Sequence, residues 1–135
     1  MSQFLVNDIE IMHHKFKTLD AVSKMDNETL KEFLNFRIKC IEEELNELKL
    51  AVIECDADGI VDAIIDGLVF GIGTLHAFSV DTVKAWSEVY QANMAKEVGQ
   101  KSTRPNKYGF PDLIKKSDWV PPSHLDNLGL LSKMF

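Results

Sequence analysis

Proline is missing from most of this 135-residue sequence, since all four prolines lie at or beyond Pro105. A proline inside a helix removes a backbone hydrogen bond and clashes with the preceding turn, so its absence leaves helices uninterrupted. We therefore predict a helical body in residues 1–98, followed by an irregular C-terminal tail in residues 99–135 that packs on the body or on a partner subunit. The length suits a single domain overall.

Signals for β-strands are also scarce, because the sequence has no Asn-Gly turn and little alternation of polar and apolar residues. Apolar residues instead recur every three or four positions, which is typical of helices that bury one face. The predicted fold class is all-α, a bundle of four to five helices. Its predicted helices are Val6–Thr18, a long helix from a cap at Asp26 or Asn27 to Cys55, Ile60–Ala77, and a helix from a cap at Ser79 or Asp81 to Val98.

Positive charge is in short supply: 15 Lys and Arg residues stand against 21 Asp and Glu residues, a net charge of −6. No basic stripe is present, which excludes a nucleic-acid duplex as the expected partner. Much of the acidity is concentrated in the segment "EEELNE" that begins at Glu42. Such a cluster suits a cation better than a polyanion.

Cysteine is rare, with only Cys40 and Cys55, and the N-terminal segment has no apolar signal region. We predict two buried free thiols in a reducing compartment. The apolar run Gly59–Phe78 is about long enough to cross a bilayer, but it contains Asp62 and Asp66 and lacks cationic flanks. We therefore expect no membrane partner and a cytoplasmic location, in a bacterium or as a viral protein in its host's cytoplasm.

Two pairs of acids share a helix face on either side of a short predicted loop. Glu44 and Glu47 are three residues apart, and Asp62 and Asp66 are four apart. Both spacings put the pair on one side of a helix. Because a short loop makes the two helices antiparallel neighbours, the four carboxylates are predicted to converge.

Carboxylates this close repel one another unless protons or cations neutralise them. Oxygen ligands suit Mg²⁺ or Mn²⁺, so a shared metal site is the favoured interpretation. Two alternatives remain open from the residues alone. The "EEELNE" segment is often a solvated helix face, and the two aspartates can be paired with Arg37 or Lys39 on the neighbouring helix.

The order of these acids resembles the all-α nucleoside triphosphate pyrophosphatase superfamily, the MazG-like proteins. The family pattern is ExxE, a spacer and then ExxD; Glu44 and Glu47 match the first pair and Asp66 the final aspartate. Ala63 stands where the family has its second glutamate, and Asp62 is the candidate replacement. This DxxxD variant resembles the phage-type phosphoribosyl-ATP pyrophosphohydrolase-like branch.

Further segments are similar to the same branch, so the resemblance covers about residues 8–116. Glu88–Lys96, "EVYQANMAK", resembles its EVxxSNMxK signature, with Ala92 in place of the serine. The remaining similar segments are "MHHKF" near the N-terminus, "LVFGIGTLHAFSVD" in the apolar helix and "KYGFPDL" in the tail.

The resemblance implies a nucleotide pyrophosphohydrolase that uses Mg²⁺, with Mn²⁺ possible, to release a nucleoside monophosphate and pyrophosphate. It implies that the body is the catalytic bundle, that Glu43 or Glu44 is the general base, and that the metal ligands are Glu44, Glu47, Asp62 and Asp66. The predicted substrate-binding residues are His14, Phe36, Asn93, Lys96 and Lys107.

The apolar helix after Gly59 has hydrophobic residues on most of its sides, which a small monomer cannot cover. We therefore predict a homodimer or homotetramer. Three functions remain open: an NTP or dNTP pyrophosphohydrolase for house-cleaning or pool control, phosphoribosyl-ATP pyrophosphohydrolysis, and a non-catalytic nucleotide- or metal-binding module. The departures at Ala63 and Ala92 motivate the non-catalytic module, and a helical interaction protein with structural acids is a further alternative.

Overall fold

The computed structural model describes residues 3–135, which form two compact units. The first unit runs up to Thr82 and also contains Leu128–Phe135; the second is Val83–Asn127. Residues 83–98 group with most of the tail in the second unit, and the last residues of the tail belong to the first unit. The first unit holds both acidic pairs.

The fold is all-α, as predicted, with five helices and a two-stranded sheet among the described residues. Strands β1 and β2 are antiparallel, with Val98 opposite Leu113. The elements in chain order are α1 (Gln3–Lys15), α2 (Thr18–Ser23), α3 (Asn27–Ile53), α4 (Ala57–Ala77), α5 (Thr82–Met94), β1 (Glu97–Gly99), β2 (Asp112–Ile114) and a 3₁₀ helix (Gly129–Lys133).

Helices α3 and α4 make the most extensive helix pairing in the chain. Asp26 caps α3 by accepting a hydrogen bond from the Thr29 backbone N–H at 2.8 Å. Asp56 caps α4 in the same way, accepting from Gly59 at 3.0 Å. Each cap satisfies a backbone donor that the first helical turn leaves free. The caps fix where each helix begins. Only three residues connect the end of α3 to the start of α4.

The core of the first unit lies at the end of α4 remote from the acids. Phe78 is 0% exposed, and its ring stacks on Phe33 of α3 with centroids 5.7 Å apart. The backbone N–H of Leu130 donates to the Phe78 carbonyl at 2.7 Å, which joins the 3₁₀ helix to this core. The buried residues of the cluster are Val22, Leu30, Ala77, Phe78 and Met134.

The second unit is organised around polar contacts as well as its small sheet. Arg104 donates twice to Asp112, at 2.8 and 2.6 Å, which pins the loop between the strands to β2. The Trp119 indole N–H donates to the Ala92 carbonyl at 2.7 Å and so ties the chain after β2 to α5. The tail is therefore folded, although it contains little regular structure.

Several sequence predictions need correction in detail. Helix α2 is not among the predicted helices. Lys17, whose backbone is in the left-handed conformation, separates it from α1. The last predicted helix ends four residues early, at Met94, because the chain enters β1. Cys40 is buried and free as predicted, but Cys55 is exposed. Its backbone has φ of 57°, and the residue lies in the turn between α3 and α4 and not on a helix.

Gly129 should be essential for the packing of the 3₁₀ helix. Its φ is +53°, and a Cβ added there would collide with the Phe78 carbonyl oxygen. We expect Gly129→Ala to lower the free energy of unfolding by more than the 1–2 kcal/mol, roughly, that a left-handed alanine costs by itself. Thermal unfolding followed by far-UV circular dichroism measures this loss.

Gly109 provides the matched control, since its φ is +69° but an added Cβ meets nothing within 4 Å. Gly109→Ala therefore carries the backbone strain without the collision. Equal destabilisation by the two alanines would contradict the proposed role of Gly129.

Candidate active site

Glu44 is at the centre of the acidic cluster on the α3–α4 face. Its side chain is half-buried, and its Oε2 atom is fully buried without a hydrogen-bond partner. Desolvation raises the pKa of Glu44, and the charges of Glu47, Asp66 and Asp62 raise it further, together with a hydrogen-bonding interaction between the Glu44 and Glu47 side chains. All four predicted ligands are thus electrostatically coupled across the two helices.

The four acids have no cationic partner within the described part of the chain. Neither Arg37 nor Lys39 forms an ion pair with Asp62 or Asp66, so the alternative of a structural salt bridge does not hold. The ion pairs present in residues 3–135 are Lys31–Glu28, Lys84–Asp126, Arg104–Asp112 and Lys116–Glu97. The charge on the acidic cluster is left uncompensated by the protein itself.

The acids do not form a finished coordination shell. No three His, Cys, Asp or Glu side chains between residues 3 and 135 are grouped closely enough to hold a metal ion as they stand. The donor set nevertheless fits a hard divalent cation, because it consists of carboxylates and includes a buried oxygen with no donor. Coordination of one ion would require these side chains to move closer together, and those of Glu47 and Asp62 are exposed.

Ala63 occupies the position where the family pattern has its second glutamate. It is 4% exposed, so this position packs within the protein and supplies no ligand. Asp62 is exposed, yet its charge is among those that raise the pKa of Glu44. Asp66 is half-buried and affects Glu44 more strongly than Asp62 does. The use of Asp62 in place of the missing glutamate stays a prediction.

The other predicted residues of the first unit lie on its surface. Glu43 is exposed one position from Glu44. His14 is exposed and lines a cavity of about 360 Å³ together with His13, Lys17 and His76. Phe36 is 59% exposed, so its ring is free of the core. Their roles at the site stay predictions.

Asn93, Lys96 and Lys107 belong to the second unit. The ammonium group of Lys96 donates to Asn93 Oδ1 at 2.9 Å, as the three-residue spacing predicts, and lies 5.3 Å from the Trp119 ring centroid. Lys107 lies 5.1 Å from the ring centroid of Tyr108. These contacts orient Asn93 and Lys96 toward each other, and their role toward a substrate stays a prediction.

His13, which is not among the predicted site residues, is buried beside His76. The two Nδ1 atoms are 2.7 Å apart, and the ring centroids are 4.9 Å apart. Burial, then the charges of His76 and Arg37, lowers the pKa of His13 to about 4. His13 is therefore neutral at pH 7. Adjacent histidines differ in direction along a helix, so the sequence indicates that only one of them reaches the site.

Arg37 is the second residue that sequence reasoning misjudged, since it was considered only as a partner for the aspartates. Its guanidinium lies 5.2 Å from the Phe33 ring centroid and 5.8 Å from that of Phe70. Its Nε atom is buried and has no hydrogen-bond partner. A buried, unsatisfied guanidinium nitrogen was the signal, and only coordinates reveal it.

Comparison with known protein families matches residues 11–93 to the family described as phosphoribosyl-ATP pyrophosphohydrolase. The match spans more than half of the chain and includes the predicted ligands and catalytic glutamates, as well as Asn93. Neither the curated proteins nor the solved structures contain a match to this chain.

Asp66→Asn should separate metal binding from folding. Removal of one charge relieves repulsion with Glu44, so we expect the metal-free protein to unfold at a higher temperature. Loss of a ligand should weaken Mn²⁺ binding, measured by electron paramagnetic resonance, about tenfold or more. The rise in melting temperature that Mn²⁺ gives the unmodified protein should shrink accordingly.

Glu42→Gln is the matched control, because Glu42 is an exposed acid on α3 that does not contribute to the pKa of Glu44. It removes the same charge and should leave Mn²⁺ affinity nearly unchanged. Equal losses of Mn²⁺ affinity in Asp66→Asn and Glu42→Gln would mean that Mn²⁺ binding depends only on the overall charge of the protein.

Proposed function

Because the chain belongs to the phosphoribosyl-ATP pyrophosphohydrolase family of the MazG-like superfamily, we propose that it hydrolyses nucleoside triphosphates to nucleoside monophosphates and pyrophosphate with Mg²⁺. The family consists of hydrolases that act on phosphoric anhydride bonds of nucleotide-like substrates. The observation that carries the proposal is the buried, unpartnered Oε2 of Glu44 among three other acids. Either ribose or deoxyribose substrates fit a role in house-cleaning or in control of the nucleotide pool.

The proposed metal ligands are Glu44, Glu47, Asp62 and Asp66. A triphosphate is strongly anionic and cannot approach these uncompensated carboxylates directly. Bound Mg²⁺, or Mn²⁺ in its place, supplies the positive charge that attracts the phosphates and stabilises charge developing on them. The carboxylates in turn fix where the phosphates lie.

Glu44 is the preferred general base, with Glu43 as the alternative. In the metal-free protein the surroundings of Glu44 raise its pKa, which favours this carboxylate as the proton acceptor. The glutamate accepts a proton from water, whose oxygen forms a bond to the α-phosphorus. The bond between the α-phosphorus and the bridging oxygen breaks, and pyrophosphate leaves with the electron pair.

The proposed substrate-binding residues provide hydrogen-bond donors and aromatic surface. Lys96 and Lys107 carry the positive charge that phosphates require, and the Asn93 amide can donate to phosphate or sugar oxygens. His14 and Phe36 are assigned to the nucleoside. The hydrogen bond between Lys96 and Asn93 supports treating these two residues as one binding group.

Phosphoribosyl-ATP is the second candidate substrate, because the matching family is described by the hydrolysis of that compound. The bond that breaks is of the same kind, so the same glutamates and aspartates serve either reaction. A non-catalytic module that only binds nucleotides is the remaining alternative, and turnover distinguishes it from both.

The apolar surface of α4 supports a homodimer or homotetramer. This helix is long and apolar enough to cross a membrane by length and composition, yet only 22% of its most apolar segment is buried within the chain. Ile65 is 52% exposed and Leu68 is 50% exposed. A second subunit covers such a surface without placing Asp62 and Asp66 in lipid. We accordingly propose a cytoplasmic homo-oligomer.

Pyrophosphate release is the test of the proposed activity. We expect Mg²⁺-dependent release from at least one substrate in a panel of NTPs, dNTPs, oxidised nucleotides and phosphoribosyl-ATP, and complete loss with a chelator. Glu44→Gln should lower kcat about a hundredfold or more, whereas Glu42→Gln should not. Nucleotide-dependent thermal stabilisation without release, with either Mg²⁺ or Mn²⁺, would instead identify a binding module.

Ile65→Glu should disrupt the proposed oligomer. The substitution puts a charge into the apolar surface of α4, and burying it against a second subunit is unfavourable. Light scattering after size-exclusion chromatography should give a dimer or tetramer for the unmodified protein and a smaller species for the variant. Val120→Glu, at a position 75% exposed in the other unit, is the control. A monomeric unmodified protein would overturn the oligomer proposal.

A further inference from the structure

Arg37 is the only arginine in the first unit, and it is partly buried without an acidic partner. None of the ion pairs in residues 3–135 includes it. Burial lowers the pKa of the guanidinium from its ordinary value. Even so, arginine stays charged in proteins, so Arg37 is a cation that lacks an anion.

The surroundings of Arg37 partly compensate its charge but leave its hydrogen bonds unmade. Cation–π contacts with Phe33 and Phe70, at 5.2 and 5.8 Å, favour the positive charge. Aromatic rings supply no conventional acceptor, and Nε remains without one. A guanidinium presents its N–H groups in one plane, as a fork that fits two adjacent acceptors.

Gly73 of α4, which has no side chain, allows His13 and Arg37 to pack close to the α4 backbone. A Cβ added at Gly73 would lie 3.3 Å from His13 Nε2 and 3.7 Å from Arg37 Nη1. The imidazole of His13 is therefore next to the guanidinium. Because His13 is neutral at pH 7, it adds a polar ring to this region without a second positive charge.

Arg37 is also placed at a useful distance from the acidic cluster. It precedes Glu44 by seven residues on α3, which is almost two helical turns and about 10 Å along the axis. Seven residues return to nearly the same helix face. A ligand held at its phosphate end near Glu44 and extended along this face would bring its other end toward Arg37.

We propose that Arg37, between Phe33 and Phe70 and beside Gly73, binds a pair of adjacent acceptor atoms at the end of the substrate remote from the hydrolysed phosphates. This inference rests on the proposed function for the orientation of the ligand, but not for the existence of the binding group. Two substrate features offer such a pair: the O6 and N7 edge of a guanine-type base, and the oxygens of a further phosphate.

The test compares Arg37→Lys and Arg37→Ala with Lys39→Ala in the full-length chain. Arg37→Lys keeps the positive charge but loses the paired N–H donors of the guanidinium. This variant keeps the experiment informative if Arg37→Ala does not fold. Lys39 is exposed on the same helix, so Lys39→Ala removes one charge without changing Arg37 or its aromatic neighbours. The probes are GMP, AMP, CMP, UMP, inorganic phosphate and pyrophosphate, with dissociation constants from isothermal titration calorimetry.

If Arg37 binds the O6 and N7 edge of the base, the unmodified protein should bind GMP about tenfold or more tightly than the other monophosphates. Both Arg37 variants should lose this preference. If Arg37 binds a phosphate, the variants lose about tenfold in affinity for phosphate or pyrophosphate, whichever base is present. Either result supports the proposal and identifies the feature. Variant affinities within twofold of the unmodified protein for every probe, or no binding of any probe by the unmodified protein, would overturn it.

A separate readout distinguishes this inference from the proposed function. The Arg37 variants should bind Mn²⁺ as the unmodified protein does, because the acids are untouched. Arg37-dependent binding without pyrophosphate release from any nucleotide would reject the enzymatic proposal and retain the binding group. Pyrophosphate release from a nucleotide, together with unchanged probe affinities in both Arg37 variants, would support the enzymatic proposal and reject the Arg37 binding group.

Discussion

The antiparallel packing of α3 on α4 is the constraint on which the rest of the first unit depends. Along this one interface, the acids lie toward the connecting turn, Arg37 and Gly73 occupy the middle, and Phe33 stacks on Phe78 at the far end. Burial of the apolar end holds the helices together, since hydrophobic burial is the main favourable term in folding. That stability allows the other end to keep carboxylates that repel one another.

Opposite charges on the same interface remain unpaired. Glu44 has a buried oxygen without a donor, and Arg37 has a buried nitrogen without an acceptor. Pairing them would remove both deficits, but almost two helical turns separate the two residues on α3 and prevent contact. Buried groups left unsatisfied are destabilising, and their persistence at one face is typical of sites that a ligand completes. In the metal proposal a divalent cation satisfies Glu44, and in the substrate proposal a pair of acceptor atoms satisfies Arg37.

The predictable part of this site came from local spacing. Glu44 and Glu47 had to share a face because a helix repeats every 3.6 residues, and the short loop fixed the approach of Asp62 and Asp66. Inference failed where distant segments meet. Helix α2, the exposed Cys55 turn and the contact between Leu130 and Phe78 depend on left-handed residues or on packing between chain ends. The burial of His13 depends on which face of α1 meets α4, and the sequence of α1 alone does not specify that face.

By itself, the sequence determined the helical class, the long apolar α4 and the clustering of four acids, because all three follow from the helical period and from the absence of proline before Pro105. Only the tertiary structure decided that no cation in residues 3–135 forms an ion pair with those acids, that His13 is buried against His76, and that Arg37 lies beside two phenylalanine rings with no acceptor for its Nε. The reason is physical: periodicity specifies which residues share a face, whereas burial and pairing depend on which faces of different helices meet.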